Sequence, residues 1–279
     1  GLGDVYKRQA IEQARRLKGK KVVIQLEQGD YHLYRKSSSK QIYFISNTAS
    51  KEENPDPTKH IGLWIKDMKN LVIDGGGAHL ITHGEMTSFV IDQSKNITLR
   101  NFTLKAADPS VTEMEVIDTT TYTATFKIHP NDRYEIVDKQ IKWLGTEWSF
   151  TGGIAQTFDS HTNITNRCNL PTDHAVSLTD IGNHQIHAIY DQKKTLYPGE
   201  IFQMRNAIRD QVCGFIHLSK NIALEHLNLH FLGNFGIVAQ YSENLTYKYL
   251  NCEPEYGSNR TCAGFADFVQ MSGCKGKIC

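Results

Sequence analysis

A chain of 279 residues with 39% apolar residues, 22% charged residues and only 7 prolines has the make-up of one or two folded domains, not of a disordered segment. Its net charge of +1 leaves no basic footprint for nucleic acid or an anionic membrane surface, and no apolar run reaches the roughly 18 residues that cross a bilayer. Six cysteines without a C-x-x-C pair point to buried free thiols rather than disulfides, with Cys252 and Cys262 the one pairing worth checking.

The first nine residues, GLGDVYKRQ, resemble a translated sequencing-adapter scar and are set aside as non-native. Ala10 to Leu17 (AIEQARRL) reads as a short amphipathic helix ending at Gly19, followed by a buried strand over Val22–Leu26. Ser37 to His60 is polar and carries Pro55 and Pro57, so it is expected to be a loop.

Repetition begins beyond that loop. Met68-Lys69-Asn70-Leu71 and Ser94-Lys95-Asn96-Ile97 match each other at a spacing of 26, and Ser219-Lys220-Asn221-Ile222 and Ser242-Glu243-Asn244-Leu245 match at 23. A looser copy is Ser272-Gly273-Cys274-Lys275. Such periods mark stacked repeats. Alternation puts Leu71, Ile73, Ile97 and Leu99 on one face of short strands, and each Asn falls at a corner where left-handed backbone angles suit it. Stacked corner asparagines would form a ladder of amide hydrogen bonds. Asp74-Gly75-Gly76-Gly77 is a further corner. Parallel strands joined by tight turns, with no crossover helix, leave an all-β parallel solenoid as the natural architecture.

Between Pro109 and Asn206 the repeat phrase is missing, and longer alternating strands rich in Thr, Tyr and Val take its place. This stretch is expected to be an inserted antiparallel β-barrel-like domain. The organisation is then a scar over 1–9, solenoid over 10–108, insert over 109–206 and solenoid again over 207–279. The chain stops within a repeat, which reads as a fragment of a longer protein. Asn-x-Thr occurs at Asn96, Asn101, Asn163, Asn244 and Asn259; at Asn96 and Asn244 the corner role outweighs glycosylation.

Aligning the copies on their corners gives a polar column, Lys66, Asp92, His217, Gln240 and Gln270, beside an apolar one, Ile65, Ile91, Ile216, Ala239 and Val269. A polar column on a solenoid is expected to be an exposed face, a common groove for carbohydrate. Asp267 stands alone in the apolar run Ala263 to Val269 and is placed at the turn entering the strand; a buried unpaired carboxylate is costly, so it is expected to be protonated, paired or open onto a cleft. Trp143 and Trp148 read as core packing of the insert ahead of a sugar platform. Twelve histidines show no H-E-x-x-H spacing, so no metal and no cofactor are expected.

Three stretches, HGEMTSFVIDQSKNITLRNFTL, FIHLSKNIALEHLNLHFLGNFGIVAQYSENLTYKYLNCEP and RTCAGFADFVQMSGCKGKI, together resemble glycoside hydrolase family 110, exo-acting α-1,3-galactosidases that include enzymes removing the blood-group B galactose. The helix-strand opening resembles that of pectin-lyase-like β-helices, where the helix caps the first coil. The resemblance implies a right-handed parallel β-helix with inserted β-barrel domains and a metal-independent hydrolysis that inverts the anomeric centre. It implies a glycan partner with terminal α-galactose and a periplasmic, cell-surface or secreted location. One essential Asp of the family maps to Asp267; the other two, an adjacent pair in a His-Asp-Asp context, would fall beyond Cys279. The 279-residue chain alone is therefore expected to be inactive. Glu253, Arg260, His217 and Gln240 are weaker candidates for sugar ligands, chosen because the repeat alignment sets them around the groove. A polysaccharide lyase and a non-catalytic carbohydrate-binding protein are the competing readings; an acidic Ca²⁺ cluster, which a lyase often needs, is missing from the repeats.

Overall fold

The computed structural model describes residues 2–17 and 20–279, with side chains from Gln9 onward. The helix expected over Ala10–Leu17 runs from Leu2 to Arg16, into the nine residues set aside, and its expected stop at Gly19 lies outside the described residues. Ile11 and Ala14 are buried on the same core as Leu71, Ile73 and Leu33, so the helix covers apolar side chains of the first strands.

The chain divides into two compact units, one of Gly1–Asp108, Arg209–Glu255 and Ala263–Cys279, the other of Pro109–Ile208 and Tyr256–Cys262. The first unit holds two sheets. One joins Val22–Gln25, Lys69–His83, Lys95–Ala106, Lys220–His230, Glu243–Cys252 and Lys275–Ile278 in parallel, with Asp30–Tyr34 also paired to Lys69–His83. The other joins Thr58–Lys66, Thr87–Asp92, Val212–His217, Phe235–Gln240 and Val269–Ser272 in parallel. Each strand of this second sheet leads within a few residues into a strand of the first.

Between them, apolar residues stack in register: Leu71, Ile97, Ile222 and Leu245 form one row, and Ile65, Ile91, Ile216 and Ala239 face them from the second sheet. All eight are nearly inaccessible, and each large side chain so buried contributes about 1.5–3 kcal/mol. Gly214 completes one row because the ring of Phe89 fills its place; a Cβ there would sit 2.1 Å from that ring.

The corner asparagines behave as their residue type predicts. Asn70, Asn96, Asn221 and Asn244 have φ between 55° and 58°, in the left-handed region. Each amide donates to the one before it, Asn96 to Asn70 at 2.7 Å, Asn221 to Asn96 at 2.8 Å and Asn244 to Asn221 at 2.9 Å. A second ladder runs beside it, in which Ser94, Ser219 and Ser242 accept the backbone N–H of Met68, Ser94 and Ser219 respectively. The register also corrects the last copy. Glu243 pairs with Lys275, so Gly276 (φ 79°) takes the asparagine corner and Cys274 the serine place. Gln270 therefore pairs with Val238, and Ser272 joins the polar column in its stead.

The expected loop over Ser37–His60 contains a strand, Ser39–Ile42, antiparallel to the start of Thr58–Lys66. Its continuation, Tyr43 and Ile45, packs with Trp64, Val90, Phe215, Phe235 and Val238 on the far side of the second sheet. That sheet is thus buried on both faces, as parallel sheets are.

The second unit is antiparallel. Seven strands run in the order Ile164–Cys168, Ile154–Asp159, Ile201–Arg205, Thr112–Thr119, Thr123–Ile128, Gln185–Tyr190 and Ala175–Gly182, beside a three-stranded sheet over 133–151. The two end strands do not pair, so the expected barrel is an open sheet. Trp143, Phe126, Phe202 and Ile186 fill its core.

Candidate active site

Asp267 lies where the sequence placed it, at the turn entering the strand Val269–Ser272, and it is exposed, which removes the expectation of a buried carboxylate. Its neighbours explain this: Ala266 packs on the outer core of the second sheet and Phe268 on the inner one, leaving Asp267 between them with neither core open to it. The bend is firmly held. Backbone bonds join Leu232 N to Ala263 O at 2.7 Å, Phe265 N to Gly233 O at 3.3 Å, Gly236 N to Asp267 O at 3.0 Å and Ile237 N to Phe268 O at 2.8 Å. Gly236 permits this approach, since a Cβ there would lie 2.2 Å from the Phe268 carbonyl oxygen. The carboxylate is solvent-facing on a fixed backbone.

The same edge of the second sheet gathers other charges. Glu85 stands two residues before Thr87–Asp92, Asp210 two before Val212–His217, and Lys59 near the start of Thr58–Lys66. Lys59 is almost fully buried and its ammonium is bonded to Asp210. Burial pushes the Glu85 carboxyl up; Arg35 and Lys59 oppose this and Asp210 adds to it. The strands led by Asp210 and Asp267 are separated by one strand, Phe235–Gln240. Two inter-strand steps of about 4.8 Å, with a two-residue stagger because Val269 is level with Gly214 through Ile237, put their starts about 12 Å apart.

The polar column lies at the opposite end of these strands. Lys66, Asp92, His217 and Gln240 pair in one row, so the column is real, but it is not an open face. Asp92 is buried and accepts from Tyr43 Oη at 2.9 Å, His217 Nδ1 at 2.9 Å and Lys66 Nζ at 3.3 Å. Gln240 is buried and its Oε1 accepts the Ser46 N–H at 2.6 Å, while Ser46 Oγ meets Ser272 and Gln270. The segment from Tyr43 to Asn47 covers the column because buried polar groups require partners. The strand from Phe235 to Gln240 holds His217 and Gln240 about 16 Å from Asp267, at about 3.3 Å per residue. The structure does not bring them together.

No family model matches the chain. Among curated proteins it is 44% identical over 269 residues to "Alpha-1,3-galactosidase A" of Bacteroides thetaiotaomicron, an alignment covering 96% of this chain and 47% of that protein. It is 34% identical to "Alpha-1,3-galactosidase A" of Streptomyces avermitilis, over 92% of this chain and 44% of the relative. It is 30% identical to "Alpha-1,3-galactosidase B" of Parabacteroides distasonis, over 96% and 44%. The chain belongs to the α-1,3-galactosidase family, glycoside hydrolase family 110. It spans about half the length of the curated relatives it matches.

In this α-1,3-galactosidase family member the remaining candidates are dispersed. Glu253 is exposed, and its Oε1 accepts from Asn251 Nδ2 at 2.6 Å. Arg260 belongs to the second unit, where its buried guanidinium bonds Asp132 Oδ1 at 2.5 Å and the Val111 carbonyl at 3.2 Å. It is an anchor of the segment Tyr256–Cys262, as is buried Glu113, which accepts the N–H groups of Thr261 and Cys262. Trp143 is core, and Trp148 is half-buried, with its ring stacked by Phe150 at 6.0 Å. Among the described residues no disulfide joins the cysteines. Among the described residues no group of three or more His, Cys, Asp or Glu is placed to hold a metal ion. Lys59, Glu85 and Asp210 were missed by sequence reasoning. The signal was their position at or just before the starts of strands whose corners had already been aligned.

Proposed function

We propose that the gene's full product hydrolyses terminal α-1,3-linked galactose from glycans with inversion, using Asp267 as one of its catalytic carboxyl groups. The chain is then a right-handed parallel β-helix carrying an inserted β-domain over 109–206, in a protein placed in the periplasm, at the cell surface or outside the cell. Blood-group B structures are among its substrates. The observation that carries this reading is Asp267 itself: an exposed carboxylate on a backbone tied down by neighbouring hydrogen bonds, at a sheet edge that also holds Asp210, Glu85 and Lys59. Inversion requires a water between two carboxyl groups. The partner carboxylate is expected in the adjacent Asp-Asp pair that the family resemblance sets in the following repeat.

The test is the anomer formed. Galα1-3Gal hydrolysed by the full-length product and followed by proton NMR within the first minutes should show β-galactose before mutarotation. Appearance of α-galactose first would contradict inversion. No release of galactose at all, with the disaccharide still bound, would favour a non-catalytic carbohydrate-binding protein.

A further inference from the structure

The second unit has a cleft of about 450 Å³ where two turns overhang three neighbouring strands of its antiparallel sheet. That volume falls within the 300–1,000 Å³ of small-molecule sites, whereas two other hollows of the same unit, of about 180 and 170 Å³, do not reach it. Phe158, Ile201 and Glu115 lie side by side in one register row and line it. Both overhanging turns are fixed by their own hydrogen bonds. Asp159 Oδ1 accepts the His161 N–H at 2.8 Å, and the Asp159 carbonyl accepts Asn163 N at 2.8 Å. Across the cleft Glu200 N donates to Tyr197 O at 3.0 Å, Gly199 N donates to Val116 O at 2.8 Å, and Glu200 Oε2 accepts the Tyr197 N–H at 3.3 Å.

The lining states what would fit. Tyr197 presents an aromatic side chain that is 65% exposed and held on a rigid turn. Among the described residues three carboxylates, Glu115, Asp159 and Glu200, line the cleft and no Lys or Arg does. Burial pushes the Glu200 carboxyl up, consistent with a group recessed in the cleft. Such a surface repels phosphate, sulfate, uronate and sialate. It suits a ring with an apolar C–H face for the aromatic side chain and several hydroxyls to donate to carboxylates.

We propose that this cleft is a non-hydrolytic subsite for a neutral hexopyranose, of the galactoside class, remote in sequence from Asp267. The choice of galactosides among neutral sugars rests on the reading of the chain as glycan-active. The experiment titrates the 279-residue chain with methyl α-galactoside, using saturation-transfer NMR and calorimetry. Binding in the millimolar range is expected. Tyr197→Ala should weaken it at least tenfold and Tyr197→Phe should restore it; both changes fall on an exposed side chain and leave the fold intact. Glu115→Gln should weaken it several-fold, Asp267→Asn should leave it unchanged, and galacturonate should fail to compete. The proposal is overturned if no saccharide saturates, if Tyr197→Ala binds as wild type, if Asp267→Asn abolishes binding, or if a lysine-rich peptide competes more strongly than galactosides. Failure here leaves the hydrolytic reading intact, and failure to release galactose with binding retained leaves this subsite intact.

Discussion

At the scale of single residues, the candidate site depends on what surrounds Asp267 more than on its charge. An exposed aspartate on a mobile loop is ordinary, but this one is bracketed by Ala266 and Phe268 packed on opposite faces of a sheet. Gly236 is the residue that lets the bend close against its neighbour. Gly236→Ala is predicted to push the Asp267 segment outward, because the added methyl meets backbone rather than a flexible side chain. A displacement of about 1 Å at a catalytic group costs about 100-fold in rate, so kcat/KM of the full-length product should fall by about that factor. Stability should fall with it, and a variant with wild-type turnover would show that the bend does not position Asp267. Nearby, Glu85 offers a check by pH. Its folded-state pKa is raised, mainly by burial, so the folded protein holds this proton more tightly than the unfolded chain. Stability contributed by the protonated carboxyl is present below the unfolded value of 4.5 and is lost as pH rises through the folded value. Glu85→Gln should therefore flatten the fall in urea midpoint above pH 4.5 and stabilise the chain at neutral pH. Unchanged profiles would place Glu85 in water.

Between residues and domains, the repeat is built on paired ladders at one corner. Asn221 contributes to two amide bonds and takes a left-handed conformation that most side chains pay to adopt. Asn221→Ala should destabilise by about 2 kcal/mol, from lost rungs and from about 1–2 kcal/mol of backbone strain. Asn221→Gly should recover the backbone part, so the order of urea midpoints should be wild type, Gly, Ala; an Ala variant as stable as Gly would deny the strain. This corner was legible because both its causes, conformation and amide pairing, reside in one residue type at a fixed place. The last copy was not. There Cys274-Lys275-Gly276 stands for Ser-Lys-Asn, and glycine reaches the same φ without an amide, so an alignment anchored on Ser272 runs two residues early and puts Gln270 in the column. The exposed groove was misread for another reason. Alternation along a strand says which side chains share a face but not what covers it. The clue lay in SFVID, VCGFIH and FGIVAQ, whose nearly continuous apolar character belongs to strands buried on both sides.

For the molecule as a whole, the family follows from relatives aligned along nearly its entire length, and the β architecture was legible from repeat period and strand pattern. That the inserted sheet stays open was not, because alternating strands specify pairing and faces without specifying whether the end strands meet. His217, Gln240, Arg260 and Glu253 were grouped by repeat alignment alone, and the structure gives the first three buried or half-buried partners of their own. What remains at the centre is Asp267. The direct test is galactose release from Galα1-3Gal by the full-length product and its Asp267→Asn variant, with circular dichroism confirming that both are folded. A catalytic carboxyl group predicts a loss of kcat of about 10²–10⁴-fold with little change in KM. A folded Asp267→Asn protein that turns over at the wild-type rate would contradict the account.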